Sequence, residues 1–128
     1  MNKLVIDATR EKVFLMIITK DDIYNITKEN TKINYEKLTL ILKDFLNSYS
    51  LKLEDIQKIY VNRGPGSFAG IRNSLSVVKA INVARKVDYY CYSLDDFKDQ
   101  KDIKYEDIPD LCDKFKIKKN LIKPIYLS

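Results

Sequence analysis

All three glycines of the chain lie between Gly64 and Gly70, in the run Asn62-Arg63-Gly64-Pro65-Gly66-Ser67-Phe68-Ala69-Gly70-Ile71-Arg72. Glycine tolerates positive φ and lets another group approach the backbone closely. The run follows an apolar strand and opens a helical segment, so its backbone N–H groups and the helix dipole favour an anion, with Arg63 and Arg72 flanking. The spacing argues against a phosphate cradle. A P-loop needs GxxxxGK[ST], and Ile71 stands where its lysine belongs. The dinucleotide fingerprint is GxGxxG, and here the last gap is one residue too long, with Pro65 between the first two glycines. The plain alternative needs no ligand: Gly64-Pro65-Gly66 makes a tight turn and Gly70 lets the helix lie close on a sheet.

Carboxylates give a second chemistry. Asp7 ends the first strand and Glu36 opens the first helix, where a two-metal nuclease would place ligands to a pair of ions about 4 Å apart. The end of the fourth strand should supply another carboxylate. It holds Asn62-Arg63, and a cation there has the wrong sign. The expectation for Asp7 is structural: a strand-terminal group bonded to the adjacent hairpin. Cys91 and Cys112 lack CxxC spacing and the chain has no histidine, which removes a zinc site or thiol–imidazole pair. No metal or cofactor is expected.

These residues need a frame. Leu4 to Ile6, Val13 to Ile18 and Ile23 to Thr27 read as three strands joined by short polar linkers. Tyr35, Leu38, Ile41, Leu42, Phe45 and Tyr49 recur at helical spacing, with Asn34 as N-cap. Ile56 to Val61 is a fourth strand. A long helix follows from about Phe68 to Lys86, capped by Ser67, and Tyr89 to Tyr92 is a fifth strand. Ser93-Leu94-Asp95-Asp96 resembles a capping box that opens one more short helix. The order β-β-β-α-β-α-β-α gives a mixed five-stranded sheet with helices on its faces, the ribonuclease H-like half-domain. Beyond it, the charged stretch from Lys98 to Asp107 is a linker candidate, and Ile108, Leu111, Cys112 and Phe115 suggest an amphipathic helix.

Composition sets wider bounds. The chain has 128 residues and a net charge of +5; the excess is mild, and Lys114, Lys116, Lys118, Lys119 and Lys123 crowd the end. A solvated tail is the plain reading, since the tail has no arginine and little aromatic interleaving to make it a base-reading surface. No stretch suits a membrane span or a signal peptide, and the expected setting is a reducing cytoplasm.

The run Arg63 to Arg72 closely resembles the GRGPGSFTGLR signature of the TsaB (YeaZ) family. Leu4-Val5-Ile6-Asp7-Ala8-Thr9 resembles that family's opening ILAIDTS, Leu51 to Ile56 its lead into the fourth strand, Tyr92-Ser93-Leu94 its GVSSL, and Lys123 to Ser128 its terminal PxYLR. The resemblance covers about residues 3 to 98 and resumes at the end. It implies a two-lobed actin-like relative, here a truncated one: an N-terminal ribonuclease H-like lobe over 1–98, and over 99–128 a remnant of the second lobe with a tail. It further implies a non-catalytic subunit that supports a TsaD-type threonylcarbamoyltransferase acting at adenosine 37 of tRNA. A TsaE-type ATPase is a further partner, and tRNA contact is indirect. The family's usual histidine at the first helix is replaced by Ile33-Asn34-Tyr35, and Ala8 replaces the usual threonine after the aspartate. The alternatives are a nucleotide-binding enzyme using the glycine turn at 64–70, or a two-metal nuclease.

A partner surface also has a form in the residues. Glu36, Lys43 and Asn47 mark the outer face of the first helix with Leu40 among them; Arg72, Ser76, Lys79 and Lys86 mark that of the second with Val83 among them. Ser76, Ala80 and Ala84 allow close helix approach. The expected partner-binding set is Asn34, Tyr35, Leu40, Asn73, Ser76, Lys79, Ala80 and Val83, pairing with a second copy when the chain is alone and with the TsaD-type subunit otherwise. The signature turn (Arg63, Gly64, Pro65, Gly66, Ser67, Phe68, Gly70, Arg72) then acts as a rigid elbow that sets the second helix.

Overall fold

A computed structural model describes residues 1–31, 33–34 and 37–125. Strands β1 (Lys3–Asp7), β2 (Lys12–Ile18), β3 (Ile23–Glu29), β4 (Lys58–Asn62) and β5 (Asp88–Tyr92) form one sheet in the order β3-β2-β1-β4-β5. The first three run antiparallel as a meander, whereas β4 is parallel to β1 and β5 parallel to β4. Helix α1 (Leu38–Asn47) carries the chain from β3 to β4, and α2 (Phe68–Arg85) from β4 to β5. Helix α3 (Ile108–Lys114) comes after β5. This is the meander followed by two crossovers that the sequence pattern requires.

Alternation along the strands divides the core in two. Leu4, Ile6, Leu15, Ile17, Ile59 and Val61 face α1 and α2. Val5, Met16, Tyr60 and Tyr92 face the other way, onto Phe97, Ile108, Leu111 and Cys112. The unbroken apolar run of β2 follows from this, since a strand covered on both faces needs no polar alternation. Helix α1 buries Leu38, Leu42, Phe45 and Leu46, and α2 buries Ile71, Leu75, Val78 and Ile81.

Three expectations need correction. Asn34 is not the cap of the first helix: it sits inside a helical turn, and its backbone N–H donates to the Thr31 hydroxyl at 3.2 Å. The Thr31 side chain is the local acceptor; Asn34 instead donates its amide to the Glu29 carbonyl. The stretch Lys98 to Asp107 is not a free linker, because Ile103 and Tyr105 pack into the second core. The Ser93 capping box opens only the single 3-10 turn Leu94–Asp96. Phe97 then leaves helical geometry to bury its ring beside Tyr92 and Phe115, and burying an aromatic ring outweighs one more helical turn.

Candidate functional site

Two regions hold the residues singled out above. The first is the elbow between β4 and α2. Ser67 caps α2, its hydroxyl accepting from the Gly70 N–H at 3.2 Å, and its own N–H donates to the Thr9 carbonyl at 2.9 Å. Gly64 has φ +109° and receives the Asn62 side chain, whose Oδ1 accepts from its N–H at 2.9 Å. A Cβ on Gly66 would strike the Thr9 backbone, and one on Gly70 the Ala8 carbonyl. The elbow is thus clamped against the β1–β2 hairpin.

Its arginines differ. The Arg63 guanidinium bonds Asp96 Oδ1 at 2.8 Å and the Lys123 carbonyl at 3.1 Å, while its backbone donates to Tyr92 and accepts from Ile125, each at 2.7 Å. Arg63 ties four segments together. Arg72 is exposed on α2, and so are Pro65 and Phe68.

Asp7 lies beside the elbow and is only 4% exposed. Oδ1 accepts from the Thr9 N–H at 2.9 Å and the Thr9 hydroxyl at 2.6 Å, as a strand-terminal aspartate bonded to its hairpin should. Oδ2 accepts from Asn62 Nδ2 at 3.0 Å and the Tyr105 hydroxyl at 2.8 Å. A carboxylate has about four lone-pair positions, and here protein donors take all of them. Burial, reinforced by the Asp7 charge and hydrogen bond, pushes the Tyr105 phenol well up, so it stays protonated and donating. Its ring stacks on Phe14 at 4.0 Å. A cavity of about 560 Å³ opens here, lined by Asp7, Arg10, Phe14 and Tyr105 among others.

Among the described residues the arrangement does not make a two-metal centre. Asn62 donates to Asp7 where a nuclease would need a third carboxylate, and Glu36 lies outside the described residues. Among the described residues no three His, Cys, Asp or Glu side chains stand together in a way that could hold a metal. Two partners of Asp7 escaped the sequence reading. Asn62 carried a signal, since an asparagine two residues before a turn glycine commonly bonds that glycine's N–H. Tyr105 carried none, being 98 residues away in a segment without periodicity.

Cys91 belongs to the first core and Cys112 to the second, so they lie on opposite sides of the sheet and both are free. Burial pushes each thiol up to about 12; neighbouring Asp113 adds to this at Cys112, and Arg63 opposes it at Cys91. Only the thiolate reacts with disulfide reagents. Neither cysteine should therefore be labelled by Ellman's reagent in the native protein at pH 8, whereas both should be in denaturant. Fast labelling of the native protein would contradict this.

The second region is the outer surface of the two helices. Lys43, Asn47 and Arg85 line one cavity, which places the C-terminal ends of α1 and α2 side by side. Leu40 is 58% exposed and Val83 70%. Ser76, Lys79 and Ala80 are exposed, and Asn73 is partly buried with its amide on the Ala69 carbonyl at 2.8 Å. Asn34 is partly buried near the start of this face, and Tyr35 lies outside the described residues.

A family model described as TsaD, tRNA N6-adenosine threonylcarbamoyltransferase, matches residues 28–93. Two curated relatives are named tRNA threonylcarbamoyladenosine biosynthesis protein TsaB, both from Buchnera aphidicola. The protein of the Schizaphis graminum strain is 24% identical over 68% of this chain and 41% of its own length. That of the Baizongia pistaciae strain is 29% identical over 62% and 36%. The chain thus spans about two-fifths of these relatives. Among solved structures, YeaZ from Pseudomonas aeruginosa superposes with a TM-score of 0.66 and 21% identity, over 72% of this chain and 43% of that one. RuvC from Thermus thermophilus gives 0.51 and 12%, over 97% and 85%. At these identities the structures establish the fold, which is ribonuclease H-like. No helix among the described residues is long and apolar enough to cross a membrane.

Proposed function

The chain belongs to the TsaB (YeaZ) family, and from that premise we propose that it is a non-catalytic subunit in the biosynthesis of threonylcarbamoyladenosine in tRNA. It binds a TsaD-type subunit in the cytoplasm, with a TsaE-type ATPase as a further partner and tRNA met through the assembly. Alone, it pairs with a second copy. The observation that carries this reading is the pair of outward apolar side chains, Leu40 and Val83, on neighbouring helices that bury their opposite faces completely. Small residues Ser76, Ala80 and Ala84, all exposed, let another helix approach α2 closely.

Leu40→Glu and Val83→Glu should each convert the isolated dimer to a monomer in multi-angle light scattering while leaving the circular dichroism spectrum unchanged. Both sites are exposed, so folding stability should shift by no more than about 0.5 kcal/mol. A wild type that stays monomeric at high concentration would oppose self-pairing.

Residues 99–128 are read as a remnant of the relatives' second lobe. A nucleotide-binding reading draws on the cavity beside Asp7 and Arg10. Against it, Asp7 and Arg63 are already engaged by protein groups. Isothermal titration of the isolated chain with ATP or ADP should give no saturable heat.

A further inference from the structure

The net charge of +5 has one location. All 18 acidic residues precede Lys114, and they equal the basic residues of that same stretch, since five of the 23 basic residues are Lys114, Lys116, Lys118, Lys119 and Lys123. Residues 114–123 thus carry the whole excess. All five lysines are exposed. The acids nearest in sequence, Asp110 and Asp113, lie on the preceding helix α3.

The strip is held in place. Helix α3 ends in a left-handed turn at Lys116 (φ 54°), with the Ile117 N–H on the Cys112 carbonyl at 3.0 Å and the Ile117 side chain against the second core. Lys119 then bridges to Tyr90 of β5. Asn120 (φ 61°) closes the sheet edge with three bonds: its N–H donates to the Tyr89 carbonyl at 2.7 Å, its Oδ1 accepts from the Tyr89 N–H at 2.9 Å, and its Nδ2 donates to Asp88 Oδ1 at 2.9 Å. Farther on, the Lys123 carbonyl accepts from Arg63. Among the described residues, Asp88 alone forms an ion pair with any of the five charges, through Lys119 at 3.6 Å, and Lys58 beside it on β4 is a further cation. A solvated tail would not be anchored at each end and along the edge of a sheet.

We infer that this lysine strip holds the phosphate backbone of RNA, a direct contact in addition to the one that tRNA makes through the assembly. Lysine is a compact, mobile point charge suited to phosphate contact without base reading, and a run of cations along an extended edge matches a polyanion with regular charge spacing. The choice of RNA over DNA rests on the reading that the chain serves tRNA modification.

The test is fluorescence anisotropy of the full chain with labelled tRNA across a salt series. The triple variant Lys116→Gln/Lys118→Gln/Lys123→Gln should weaken binding at least tenfold at 0.1 M salt. It should also flatten the slope of log Kd against log salt by about 2, since each phosphate contact contributes about 0.7 to 0.9. A control triple on the opposite edge, Lys12→Gln/Lys20→Gln/Lys28→Gln, should change neither. Equal losses in both triples, no loss in the first, or poly-glutamate bound as tightly as tRNA would overturn the proposal. A DNA duplex bound as tightly would overturn the choice of RNA. The strip variant should still co-purify with the TsaD-type subunit, so failure here is separable from failure of the subunit reading.

Discussion

Gly70→Ala should destabilise the protein by about 3 kcal/mol, as overpacking against rigid neighbours does. The sign is informative, because inside a helix the same substitution ordinarily stabilises by about 1 kcal/mol through propensity. Gly70 is the third residue of α2, where the helix passes directly over β1. An alanine methyl there would run into the Ala8 carbonyl and crowd Asn30 Nδ2, which itself bonds that carbonyl at 3.1 Å. The Ala8 backbone, one residue past β1 and held by the Asn30 amide, has little room to retreat, so the helix must. Urea denaturation of the variant measures the difference. A Gly70→Ala protein as stable as the wild type would mean that α2 is not clamped to β1 and that the elbow does not fix its angle.

Asp7→Ala should have a comparable effect, about 3 to 5 kcal/mol, since it strands several buried donors at once. The Asn62 amide, the Tyr105 hydroxyl and both Thr9 donors would lose their acceptor together. Asp7→Asn should be milder. Its oxygen can keep the Thr9 bonds, and the Tyr105 hydroxyl can turn to accept from the new amide. Asn62 cannot adapt by flipping, because its own oxygen is committed to the Gly64 N–H. The ordering Ala worse than Asn, read by thermal unfolding, distinguishes a buried hub from an open site. Asp7→Ala with unchanged melting would show that the carboxylate is free for another ligand.

The elbow was legible because its chemistry is local. Three glycines, a proline and a capping serine within seven positions state a tight turn into a helix, and the collisions at Gly66 and Gly70 are the reason no side chain is tolerated. The strand order was legible because β2 is apolar from Val13 to Ile18, β1 and β4 carry short apolar runs of their own, and helical spacing separates β3 from β4 and β4 from β5. The second face was not. Phe97, Ile103, Tyr105 and Ile117 are scattered through a charged stretch, and each is packed onto the second core by a turn rather than by a repeating period, whereas Ile108, Leu111, Cys112 and Phe115 did carry the spacing of α3. Two capping arrangements, before Leu53 and Leu94, lead only into single 3-10 turns, whereas the one before Tyr105 runs through such a turn straight into α3. A cap reports where a helix can start, not whether an apolar face continues it.

The partner face lies between these cases. Exposed Leu40 and Val83 follow from helical spacing once the buried faces are known, yet the same spacing cannot name the chain that covers them. Co-expression of the tagged chain with the TsaD-type subunit of the same organism, followed by affinity purification, addresses that directly. The expected result is a stoichiometric complex from the wild type that is lost in Leu40→Glu/Val83→Glu, although the variant stays folded. A wild type that leaves the TsaD-type subunit in the flow-through, or a folded double variant that retains it, would contradict the assignment of this surface.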